Sequence, residues 1–112
     1  YVALGLDIGA VLSNNKDIES KFIDCAKNIN ENFHPLPLFN GYRKLIDSDL
    51  ADMKNTGGRF GGAITAALLL KEFIDGNDWI HLDIAGPARS DNRKGATGFG
   101  VVSLYEFFKS LG

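Results

Sequence analysis

The stretch Asn55-Thr56-Gly57-Gly58-Arg59-Phe60-Gly61-Gly62 runs directly into Ala63-Ile64-Thr65-Ala66-Ala67-Leu68-Leu69-Leu70-Lys71-Glu72-Phe73-Ile74, and this junction constrains the fold more than any other feature. Four glycines among residues 57–62 relax the steric limits on the backbone, so the segment can take positive φ and admit a close neighbour. The segment after it is rich in alanine and leucine, with apolar positions too dense for a surface helix, and it is expected to be buried on most of its circumference. A glycine loop feeding such a helix gathers backbone N–H groups at a positive dipole end, where ligands commonly sit. The plainer alternative is that the glycines only let the loop pack closely against a strand.

At 112 residues the chain is one domain or part of one. Eight phenylalanines supply bulk for a core, and a net charge of −2 with scattered positive residues gives no footprint for nucleic acid. A single cysteine, Cys25, excludes an internal disulfide and fits a reducing, cytoplasmic compartment. No uninterrupted apolar run is long enough to span a bilayer, and no signal peptide is visible. The chain opens on Tyr1 inside an apolar segment, which reads as a piece of something longer.

In order along the chain, Tyr1 to Leu4 reads as the tail of a helix stopped by Gly5. Ile8 to Leu12 is a short apolar run suited to a strand buried on both faces. Ser13-Asn14-Asn15 offers capping side chains for an amphipathic helix, with Ile18, Phe22, Cys25, Ala26 and Ile29 on its apolar stripe and Asp17, Glu19, Lys21, Asp24 and Lys27 outside it. His34-Pro35-Leu36-Pro37-Leu38 reads as an extended linker. Phe39 to Ile46 suggests a short helix with Tyr42, Leu45 and Ile46 facing inward, and Ser48 to Lys54 an extended segment. Trp79 to Ala85 is a second strong strand, Gly86 to Gly98 a loop, and Val101 to Leu111 a closing helix with Val101, Leu104, Tyr105, Phe108 and Leu111 on one stripe. Strands alternating with helices predict an α/β layer of about three strands, thin enough to be part of a larger sheet.

Side-chain chemistry read alone is sparse. Asp47, Asp49 and Asp52 lack the glycine turn and terminal glutamate of a calcium loop and read as a solvated face. His34 and His81 have no second histidine or cysteine at ligand spacing, so zinc is not supported; His81 reads as a half-buried strand residue with one hydrogen bond. Ser13, Ser48 and Ser103 show no nucleophile-elbow context. Gly95-Ala96-Thr97-Gly98-Phe99-Gly100 mimics a phosphate loop without the lysine of one, which leaves a weak nucleotide-binding reading. Arg89, Arg93 and Lys94 read as a solvated basic loop.

Two longer phrases go further. Ser48-Asp49-Leu50-Ala51-Asp52-Met53-Lys54-Asn55, followed by Gly57-Gly58-Arg59 and Gly61-Gly62-Ala63-Ile64-Thr65-Ala66-Ala67, closely resembles a segment of the leucyl (cytosol) aminopeptidase family. His81-Leu82-Asp83-Ile84-Ala85-Gly86-Pro87-Ala88 and then Gly95-Ala96-Thr97-Gly98-Phe99-Gly100-Val101 match the same family in the same order. The likeness extends from Tyr1 to the end of the chain. It implies a parent enzyme that removes N-terminal residues from peptides, built as a hexamer, with a C-terminal catalytic domain that is an α/β/α sandwich. Two divalent ions, zinc or manganese, would there polarise the scissile carbonyl and activate a water.

The family's Asn-Thr-Asp-Ala-Glu-Gly-Arg signature is absent, and Asn55-Thr56-Gly57-Gly58-Arg59 echoes only its ends. By resemblance, the metal ligands, catalytic lysine and catalytic arginine all precede the point corresponding to Tyr1. Residues 1–112 are thus expected to be the C-terminal portion of the catalytic domain, truncated on its N-terminal side, with a mixed sheet and flanking helices. The chain is expected to hold no catalytic residue and to bind no metal alone. The resemblance assigns Ala85 and Ala88 to the wall of the pocket for the N-terminal side chain, and Thr56 to the border of the pocket for the next residue. The end of a strand in an α/β sheet is a common place for such a wall, though small residues there also serve tight strand–helix packing. A competing expectation is a non-catalytic α/β association module whose sheet edges pair with another chain.

Overall fold

The computed structural model describes residues 3–46, 60–88 and 97–112. The expected extended segment over residues 48–54, the three aspartates, Thr56, Ser48 and the basic loop lie outside them. The described residues form a mixed three-stranded sheet in the order β2-β1-β3, with helices on both faces. Strand β1 (Ile8–Ser13) is central, parallel to β2 (Asn32–Pro35) and antiparallel to β3 (Ile80–Asp83). Ala10 faces Asp83, and Ser13 faces Ile80, across the antiparallel pair.

Side chains alternate across a strand, and β1 buries both of its faces. Val11 joins Phe22, Ala26, Phe33 and Phe107 on one face, while Ala10 and Leu12 meet Ala67 on the other. The first face is covered by α1 (Lys16–Asn28) and α3 (Val101–Leu111), the second by α2 (Gly62–Lys71), against which the 3-10 helix Asn40–Ile46 packs. Helices on both faces of the sheet give the expected α/β layering. An aromatic row runs through the first layer: Phe22 meets Phe33 and Phe107 edge to face at 5.0 and 5.5 Å, and Phe33 meets Phe99 at 5.0 Å. Such pairs add about 0.5–1.5 kcal/mol each beyond burial.

Local chemistry sets both ends of α1. Asn15 caps it, its Oδ1 accepting from the backbone N–H groups of Asp17 and Ile18. At the far end Asn30 takes a left-handed conformation (φ 62), its N–H donating to Lys27 O and that of Glu31 to Ala26 O. Those two bonds make a Schellman ending and place Glu31 just beyond the helix. Gly61 is left-handed (φ 61) immediately before α2, so positive φ in the glycine loop is confirmed where the loop is described.

Several sequence expectations are corrected. The supposed linker at His34-Pro35 belongs to β2, short enough to tolerate a proline at its end because it lies on the sheet edge. Helix α2 ends at Lys71 and buries one side, through Thr65, Ala67 and Leu68, leaving Leu70 and Phe73 exposed. Tyr42 is exposed rather than inward-facing, while Ile46 is fully buried. Glu19 is buried because it shares a face with Phe22 and Ala26, three and seven positions on. One of its oxygens pairs with Lys16 at 3.2 Å and the other has no partner. Helix α3 has the expected bounds but turns Ser103 and Phe107 inward, leaving Val101, Leu104, Tyr105, Phe108 and Leu111 exposed. The face that meets α1 carries small serines beside Phe107, which permits close approach, with Ser110 Oγ 3.9 Å from Cys25 Sγ.

Candidate functional site

Strand β3 places alternate residues on alternate faces. Ile80, Leu82 and Ile84 pack into the layer of α1 and α3, which puts Trp79, His81 and Asp83 toward α2. The imidazole of His81 stacks on the Trp79 indole at 6.0 Å and an interplanar angle of 13°, so its observed contact is aromatic. Burial pushes the His81 pKa below the ordinary histidine value, and the neighbouring Asp83 carboxylate partly opposes that shift. The start of β3 is tied to the end of β1: Ser13 Oγ donates to Trp79 O at 2.6 Å, and Trp79 N donates to Asn14 Oδ1 at 2.9 Å.

Beyond Asp83 the chain turns at once. Ala85 N donates to Asp83 Oδ1 at 3.2 Å, and Ala88 N to Ile84 O at 2.9 Å. The turn over residues 85–88 exposes Ala85, half-buries Ala88 and buries Gly86 and Pro87 between them. Both alanines assigned to the pocket wall therefore stand on one turn. Because β3 is antiparallel to β1, this turn lies at the end of the sheet where β1 begins, opposite the carboxyl ends of β1 and β2. The simple picture of strand carboxyl ends gathered at one crevice holds only for β3.

A second segment closes on the turn. Thr97 N donates to Ala88 O at 3.0 Å, Thr97 Oγ1 donates to Pro87 O at 2.7 Å, and Phe99 N donates back to Thr97 Oγ1 at 3.2 Å. Gly100 N then donates to Glu31 Oε2 at 3.0 Å, and Ser103 Oγ donates to Glu31 Oε1 at 2.5 Å. The Glu31 carboxylate thus sits at the N-terminus of α3, where the helix dipole favours negative charge. This argues against the phosphate-loop reading of residues 95–100, since the N–H groups of Thr97, Phe99 and Gly100 already have acceptors and a carboxylate occupies the place of an anion. Sequence reading missed both Thr97 and Glu31, whose partners lie far from them along the chain.

Among the described residues no group of three His, Cys, Asp or Glu side chains is placed to hold a metal ion. Ser13 and Ser103 direct their hydroxyls to Trp79 O and Glu31 Oε1, not to a histidine or lysine. The turn thus offers shape, small side chains and backbone groups. An apolar groove of about 310 Å³ between α3, α1 and β3, lined by residues including Phe22, Leu104 and Leu111, shares no lining residue with it. No helix among the described residues is long and apolar enough to cross a membrane.

Comparisons with known proteins agree with this architecture. The sequence profile of the cytosol aminopeptidase family, catalytic domain, matches residues 1–105. A probable cytosol aminopeptidase of Microcystis aeruginosa is 48% identical over 92% of this chain and 22% of its own length. The neutral leucine aminopeptidase, chloroplastic, of Solanum lycopersicum is 44% identical over 95% of this chain and 19% of its own length. Among solved structures, a tomato leucine aminopeptidase mutant superposes with a TM-score of 0.89 at 42% identity, covering 95% of this chain and 21% of that one. The bottromycin maturation enzyme BotP in complex with Mn gives 0.91 at 34% identity, covering 98% and 26%. The chain spans about a fifth to a quarter of the length of the curated relatives it matches. With the family profile covering nearly the whole chain and this sheet and its helices superposing on family structures, the chain belongs to the cytosol aminopeptidase family.

Proposed function

We propose that this chain is the C-terminal part of the catalytic domain of a leucyl-type aminopeptidase, and that it forms a wall of the pocket for the substrate's N-terminal side chain. The observation that carries this reading is the turn at the exit of β3, where Ala85 and Ala88 stand together, small and accessible. Small residues leave volume for an apolar side chain such as leucine, whose burial contributes roughly 1.5–3 kcal/mol. Thr56 borders the pocket for the next residue in this reading. The test is Ala88→Leu in the whole enzyme: selectivity is expected to move from leucyl toward alanyl substrates by roughly tenfold, the scale on which one or two methylenes discriminate. Unchanged selectivity would remove the wall.

The parent enzyme is proposed to use two divalent metal ions, zinc or manganese, held by residues outside this chain. The described residues do not fit such ions, and no chemical step is assigned to them. BotP was solved with Mn, which supports a metal in the family. Incubated with zinc or manganese, the isolated chain is expected to release no amino acid from leucyl peptides and to show no tight stoichiometric binding by calorimetry. A hexamer in the cytoplasm remains the proposed assembly and place; relatives named for the cytosol support the location, although one is chloroplastic. The second reading, an association module, is favoured by one observation, the exposed apolar stripe of α3.

A further inference from the structure

We infer that Thr97 is a positioning residue for substrate selectivity, holding the 85–88 turn in register with the rigid layer of α1 and α3. The inference rests on the reading of Ala85 and Ala88 as a pocket wall and names the residue that fixes that wall in place. Among the described residues the turn's other hydrogen bonds are short-range, Ala85 N to Asp83 Oδ1 and Ala88 N to Ile84 O. They shape the turn and join it to the end of β3, and leave the carbonyls of Pro87 and Ala88 for a neighbouring segment.

Three hydrogen bonds through Thr97 join those carbonyls to the segment that enters α3. Its N–H holds Ala88 O and its hydroxyl holds Pro87 O, so two successive carbonyls of the wall are gripped by one residue. The same hydroxyl oxygen accepts from Phe99 N, which fixes its direction. Phe99 packs on Phe33 in the core, and Gly100 is held by Glu31. Left-handed backbone at Gly98 (φ 74) and Gly100 (φ 91) lets the chain pass from Thr97 to α3 within three residues. The path from pocket wall to core is therefore Ala88 and Pro87, Thr97, Phe99, Phe33. Selectivity depends on wall position at the scale of a methylene, so a shift of the turn alters discrimination between substrates more than the rate common to all of them.

The experiment uses the full-length, metal-loaded aminopeptidase that carries this chain, assayed for kcat/KM on leucyl, methionyl and alanyl amides. Thr97→Val removes the hydroxyl while keeping shape and backbone N–H; it is expected to change the leucyl-to-alanyl ratio by roughly tenfold. Thr97→Ser is expected to restore the ratio. Hydrogen exchange should quicken at the amides of Ala88 and Phe99 in Thr97→Val, with exchange in β1 unchanged. If Thr97→Val does not fold, Thr97→Ala is read in the same way. A uniform loss on all substrates, or an unchanged ratio, overturns the role of Thr97. Ala88→Leu in the same assay separates the two claims: if it shifts the ratio while Thr97→Val does not, only the positioning role fails, and if it shifts nothing, the wall itself fails.

Discussion

Glu31 occupies the position just past the left-handed Asn30 and accepts from both Gly100 N and Ser103 Oγ at the start of α3. A charged acceptor in that place does the work of an N-cap side chain that Gly100 cannot supply. Glu31→Ala is expected to lower stability by about 2 kcal/mol, the scale of a lost charged hydrogen bond or cap, as measured by urea unfolding. His81 makes a different kind of prediction. Its folded pKa lies below the unfolded value, so the unfolded state binds the proton more readily as pH falls. Stability is expected to be unaffected by this group above the ordinary histidine range, to decline as pH drops through that range, and to level off below the folded pKa. His81→Phe should flatten that part of the pH profile of the melting temperature.

The elements differ in how plainly the sequence declares them, for physical reasons. Strand β1 was legible because burial on both faces requires an unbroken apolar run, and α1 because its stripe and its asparagine cap agree. Strand β2 was not, since four residues ending in proline carry almost no periodic signal and owe their pairing to β1. The limits of α3 were legible, but its buried face was not: contact with α1 selected the serine-flanked side over the broader apolar stripe. At the candidate site, two small residues near a strand end could be picked out by resemblance alone. Thr97 could not, because its importance arises from a contact with Pro87 ten positions earlier. Gly9 tests the packing of the first layer. A Cβ built there would lie 2.8 Å from the Phe33 ring and 3.1 Å from Phe99. Gly9→Ala is therefore expected to cost about 1–3 kcal/mol through overpacking, seen as a lower urea midpoint with an unchanged slope.

At the scale of the whole molecule, the described residues form a sheet with two open edges, β2 and β3, and an uncovered apolar face along α3. Val101, Tyr105 and Phe108 on that face are each more than 60% exposed, and a contiguous patch of this kind promotes association when it has no cover. The isolated chain is expected to self-associate at micromolar concentration in sedimentation experiments, and Val101→Lys with Phe108→Lys should shift it toward monomer without loss of helicity. The hydrogen bond from Thr97 N to Ala88 O clasps Ala88 to Thr97, so the exit of β3 and the entrance to α3 separate only when this one bond breaks. Deuterium uptake at the Thr97 amide would therefore report any parting of those two segments directly.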